Sequence, residues 1–153
     1  MEKKLVKTKL TATKSKPEIQ IVKVELILLK GNTQHVKGIN IFSEGTTSYS
    51  LRNGDRTKLK VEFKVRHSPV RGLKMLCMTS PLIKEPGSTP NPVKYNIINM
   101  GDYAINPENT KYVYETNVRK IECDESDYIS LDKLIDEDGN EYHAYRYILR
   151  VRQ

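Results

Sequence analysis

From Lys58 to Val65 the chain reads KLKVEFKV, with every second residue apolar and every residue between them charged. A β-strand sends successive side chains to opposite faces, so this stretch predicts a strand with Leu59, Val61, Phe63 and Val65 on a dry side. The same period, or a short aliphatic run between turn residues, predicts strands over 19–29, 35–42, 49–51, 59–66, 73–80, 95–100, 111–116, 128–131 and 142–151. In the first of these, Val22, Val24, Leu26 and Leu28 are expected to share a face. Gly31-Asn32 and Asp136-Glu137-Asp138-Gly139 read as turns, and Asn53-Gly54 carries a strong hairpin signal. The stretch 84–92, KEPGSTPNP, holds three of the seven prolines and predicts an exposed loop. One segment dissents: Leu131, Leu134 and Ile135 also fit the i, i+3, i+4 spacing of a short helix. Many short strands separated by turns imply an all-β antiparallel sandwich or barrel.

Composition narrows the partners. The net charge of +7 suggests a nucleic-acid binder, yet residues 1–16 hold six lysines and one acid. The rest of the chain has 20 basic and 18 acidic residues, so it is nearly balanced. The expectation is a basic, flexible tail over 1–18 and a sandwich domain over 19–153. The lysines of the 59–66 strand are interrupted by Glu62, and no aromatic RNA-reading strand is present, so no nucleic-acid partner is expected. No apolar run approaches the roughly 20 residues of a membrane helix. The opening MEKKLVKTKL lacks a signal-peptide core, which predicts a cytoplasmic location with at most a transient membrane relation. Cys77 and Cys123 read as reduced thiols, and His35, His67 and His143 as solvated side chains. No metal, phosphate-loop or nucleophile spacing is found. The reading is a non-enzyme with no catalytic residues, no metal site and no cofactor.

Three stretches carry a family resemblance. YSLRNGDRTKLKVEFKVRHSPVRGLKMLC resembles the centre of the Rho GDP-dissociation inhibitors, where a Gly turn precedes a strand of this pattern and a Val, Gly, Lys loop follows. MGDYAINPENTKYVYET is similar to the family's Gly-x-Tyr-Gly-Pro segment and the strand after it. DYISLDKLIDEDGNEYHAYRYILRVRQ resembles its ending, with an acidic hairpin and a last strand bearing paired aromatics. The match spans about residues 19–153. It implies an immunoglobulin-like β-sandwich that binds the geranylgeranyl (isoprenyl) tail of Rho-family small GTPases, lifts them from membranes and holds them in the cytosol, regulating their GDP/GTP cycle. The implied prenyl pocket takes Leu59, Val61, Phe63 and Val65 from one strand, Leu76 and Met78 from its neighbour, and Tyr145, Tyr147 and Leu149 from the last. The family has tryptophans where Tyr145 and Tyr147 stand. The implied GTPase contacts are Tyr103, Glu122, Asp124 and Glu125.

Two departures weaken the dissociation-inhibitor half of the reading. About 18 lysine-rich residues stand where the family has a long helical arm that slows GDP release, and Arg119 and Lys120 stand close to where it has paired acids. Two other readings remain open from sequence. One is a prenyl- or acyl-binding sandwich of the phosphodiesterase-delta kind. The other is a basic module that binds RNA or acidic lipid.

Overall fold

The structure, a computed structural model, describes residues 16–41, 47–82 and 94–153. Most of the expected basic tail, the SEGT loop and the proline-rich loop lie outside these residues. Among the described residues ten strands run in order: β1 (Glu18–Lys30), β2 (Thr33–Ile39), β3 (Thr47–Arg52), β4 (Arg56–Arg66), β5 (Val70–Pro81), β6 (Lys94–Tyr103), β7 (Tyr112–Glu115), β8 (Arg119–Lys120), β9 (Ser126–Ile135) and β10 (Glu141–Arg152). They form two sheets. The first is ordered β2-β1-β4-β7, with β8 also on β4, and the second β3-β10-β9-β5-β6. This is the immunoglobulin-like antiparallel sandwich expected, with one parallel pair, β3 beside β10.

β4 behaves as its alternation predicts. Leu59, Val61, Phe63 and Val65 are all buried, and the last three are fully so. Its wet face is an ion-paired surface: Lys58 lies 3.2 Å from Glu115, and Glu62 is clasped between Lys111 and Lys23. These lysines, rather than the core, cover the Glu62 carboxylate. The Lys111 bond, outweighing the cost of covering it, lowers its pKa.

Four expectations need correction. The predicted common face of β1 breaks at a bulge between Ile21 and Lys23. The extra residue reverses the phase, so Ile19 and Ile21 face the core with Val24 and Leu26, while Val22 is exposed. Asn53-Gly54 closes no hairpin. Gly54 adopts φ +96°, and the turn carries the chain from β3 in one sheet to β4 in the other, fastened by Asn53 N–H to Arg152 O and Gly54 N–H to Ile121 O, each 2.8 Å. No helix forms at 131–135. β9 continues through Ile135, with Asp132 and Leu134 inward, because pairing with β5 and β10 on both sides satisfies its backbone. On β5 the inward residues are Val70, Leu73, Met75 and Cys77. Leu76 and Met78 point the other way, beside Ile97 and Tyr95 of β6 on the outer face. Lys74 shares their phase, and a lysine cannot enter this core without a partner.

Candidate functional site

A cavity of about 280 Å³ lies between the sheets, near the ends of β4 and β5. Leu26 of β1 and Leu59 of β4 wall it on one side. Cys77 of β5, Ile98 of β6, and Tyr147 and Leu149 of β10 wall it on the other. Its rim is formed by Lys94 and Tyr95 at the start of β6 and by the segment 119–123 that follows β7. That segment is pinned by Thr116, whose hydroxyl accepts from Leu59 N–H and whose N–H donates to Leu59 O, both at 2.9 Å. Lys94 Nζ then donates across the rim to Glu122 O at 3.1 Å.

The predicted pocket residues divide into four groups. Leu59, Tyr147 and Leu149 line the cavity. Val61, Phe63 and Val65 belong to the closed core farther along β4, where Phe63 packs edge-on to Tyr103 with ring centres 5.0 Å apart and tilted to Tyr112 at 5.6 Å. Leu76 and Met78 face outward and take no part. Tyr145 is buried next to the cavity, cross-strand from Asp132 and stacked on Tyr147 at 6.4 Å. Of the predicted GTPase contacts, Glu122 is exposed on the rim, and Asp124 and Glu125 are exposed just beyond it. Tyr103 does not join them. It sits in the Phe63 cluster and donates its hydroxyl to Met100 O at 2.8 Å.

The most unusual side chain at the cavity is absent from the sequence-based list. Asp132 on β9 bounds it, 1% exposed, and neither carboxylate oxygen has a hydrogen-bond partner. The buried Tyr145 hydroxyl is likewise unpaired. Burial raises the Asp132 pKa to about 6; Cys77, Tyr145 and Tyr147 stand near enough to pull it partly back without reaching bonding geometry, and Arg119 helps from across the rim. Burial first, then the Asp132 charge, pushes the Cys77 thiol far up, and the Tyr145 and Tyr147 phenols likewise. Cys77 is thus held as a thiol, the reverse of what a nucleophile requires. One faint signal of this site was legible: an acid placed between Ser130 and Leu134 in the inward phase of a strand.

Among the described residues there is no cluster of three or more metal-ligating side chains, and no helix is long and apolar enough to cross a membrane. No protein-family model matches the chain, and no curated protein is significantly similar to it. Among solved structures, the chain is similar to a Niemann-Pick type C2 protein from the Japanese carpenter ant. The identity is 8% and the TM-score 0.48, over 74% of this chain and 98% of that one. It is also similar to Spo0M, a sporulation control protein from Bacillus subtilis. There the identity is 12% and the TM-score 0.45, over 91% of this chain and 50% of Spo0M. This chain therefore spans half the length of Spo0M.

Proposed function

We propose that the protein is a carrier of the Rho GDP-dissociation inhibitor kind, which takes the isoprenyl tail of a Rho-family small GTPase into the cavity between its sheets and performs no catalysis. The observation that carries the reading is the cavity itself, walled by Leu59, Tyr147 and Leu149 at positions that the family resemblance assigns to the lipid. Its exposed rim offers Glu122, with Asp124 and Glu125 beside it, to a basic stretch next to a prenylated cysteine.

Size and energy set conditions on the proposal. At about 30 Å³ per carbon group, close to a water molecule's share of the liquid, the cavity holds about nine. A tail of about twenty carbons therefore enters by its distal half or parts the sheets further. Burying all of it, at about 0.8 kcal/mol per methylene, gains about 16 kcal/mol against water. A bilayer offers nearly the same gain, so extraction depends on protein contacts at the rim.

The test is titration of a fluorescent, geranylgeranylated C-terminal GTPase peptide against the intact chain. Saturable micromolar binding that changes little with salt supports the reading. Absence of saturation, or binding that collapses with salt, places the interaction on the charged surface instead.

A further inference from the structure

Asp132 is a buried charged group at the cavity that a plain hydrocarbon cannot satisfy. Its carboxylate is buried, its oxygens lack partners, and it bounds a space whose walls include Leu26, Leu59 and Leu149 together with the hydroxyl residues Thr57, Thr79 and Ser130. A buried carboxylate without a donor is costly. The Cys77 thiol and the Tyr145 and Tyr147 hydroxyls beside it do not reach bonding geometry, and a hydrocarbon in the cavity brings no donor of its own. A donor on the ligand removes the conflict.

We infer that Asp132 makes the cavity selective for amphiphiles with an apolar body and a hydrogen-bond-donating end, a hydroxyl or an ammonium, seated with the donor against the carboxylate. The body lies along Leu59 and Leu149.

The inference rests on the proposal that the cavity takes a lipid chain, and it does not require that the chain be joined to a GTPase. An isoprenyl tail has no donor, so a second class of ligand is named for the same space. Sites built to hydrogen-bond a hydroxyl reject analogues that lack it far more strongly than apolar pockets reject a change of size.

The experiment is isothermal titration of the intact chain at about pH 8 with decanol, decylamine and methyl nonyl ether, the last matching decanol in atoms but lacking the donor. Decanol or decylamine is expected to bind at least about tenfold tighter than the ether. Asp132→Leu is expected to bring that ratio to about one while the ether still binds. Equal binding of ether and donors in the wild type, or a preference that survives Asp132→Leu, overturns the inference. Should Asp132→Leu fail to fold, Asp132→Asn takes its place: removing the charge lowers the advantage of decylamine over the ether, and an unchanged advantage is again refuting. The relative strength of decanol and decylamine tells whether the site takes a neutral or a charged donor. Failure of all three probes, with the geranylgeranylated peptide still bound, overturns this inference and leaves the prenyl proposal standing. Failure of the peptide alone does the reverse.

Discussion

Asp132→Asn should make the protein more stable, and by an amount that depends on pH. Burial lifts the carboxyl from an ordinary value of 3.8 to about 6. The folded state therefore holds the proton more tightly than the unfolded chain does. Below pH 3.8 the group is neutral in both states and carries no penalty. As pH rises from about 4 to about 6 the unfolded state ionises first, and the folded state loses relative stability. Above pH 6 the loss is complete. About two pKa units at 1.36 kcal/mol each give about 3 kcal/mol. The charged and titratable groups facing Asp132 are Cys77 from β5, Tyr145 and Tyr147 from β10, and Arg119 from β8. The thiol and phenols stay neutral throughout this window, so their titration does not obscure it. Urea unfolding of both proteins at about pH 4.5, 6 and 8, compared as a difference, isolates the residue from other carboxylates. At pH 8 the asparagine variant should be more stable by up to about 3 kcal/mol, about 6–12 °C in Tm for a chain of this size. At pH 4.5 most of that gain should vanish. A variant less stable than wild type at pH 8, or a difference that ignores pH, refutes the argument that a buried, unpartnered charge sits at the cavity.

Asp136, four residues on and just past the end of β9, should behave oppositely. Burial alone would raise its pKa, but bonds from the Tyr142 hydroxyl at 2.6 Å, the Asn140 side chain at 2.9 Å and the amides of Asn140 and Asp138 hold it below its ordinary value. Asp136→Ala should cost about 2–4 kcal/mol at neutral pH in urea melts. The wild type should lose that contribution as acid carries the pH below about 4; a neutral substitution would contradict this account. Gly72 sits at φ +60° where an added Cβ meets Glu137 Oε2 at 2.8 Å, whereas Gly38 has open space. Gly72→Ala should cost about 1–2 kcal/mol and Gly38→Ala far less, by thermal melts; equal effects would remove the steric argument. Phe63→Leu should cost about 1–3 kcal/mol yet leave lipid affinity unchanged, because Phe63 packs on Tyr103 and Tyr112 away from the cavity. A folded Phe63→Leu protein that loses lipid binding would move the pocket along β4.

The sandwich was legible wherever one face of a strand is charged and the other apolar, as on β4. It was poorly legible where both faces are apolar. On β5 either Leu73, Met75 and Cys77 or Leu76 and Met78 satisfies the alternation, and Lys74 alone breaks the tie. On β9 the pattern failed at the site. Asp132 occupies an inward position while Leu131 and Ile135 lie outward, so the stretch imitated a helix. Local rules tend to break where a protein keeps a costly group for use. The β1 bulge and the crossover role of Asn53-Gly54 are set by tertiary pairing, to which local propensity is blind. The cavity rim was unreadable for the same reason, since Lys94 and Glu122 meet there from distant parts of the chain.

The parallel pairing of β3 with β10 places Thr47–Arg52 beside Tyr147–Arg152, with all of β4 to β9 between them in sequence. Contacts of such separation form late, after intervening loops have closed. During synthesis, β3 therefore waits without its neighbour until β10 has left the ribosome, and it exposes Tyr49 and Leu51 meanwhile. Leu51, Tyr147 and Leu149 all line the cavity. Ligand capacity should thus appear in a single late step of folding, so a nascent chain arrested before β10 should hold no lipid however much of the first sheet it has built.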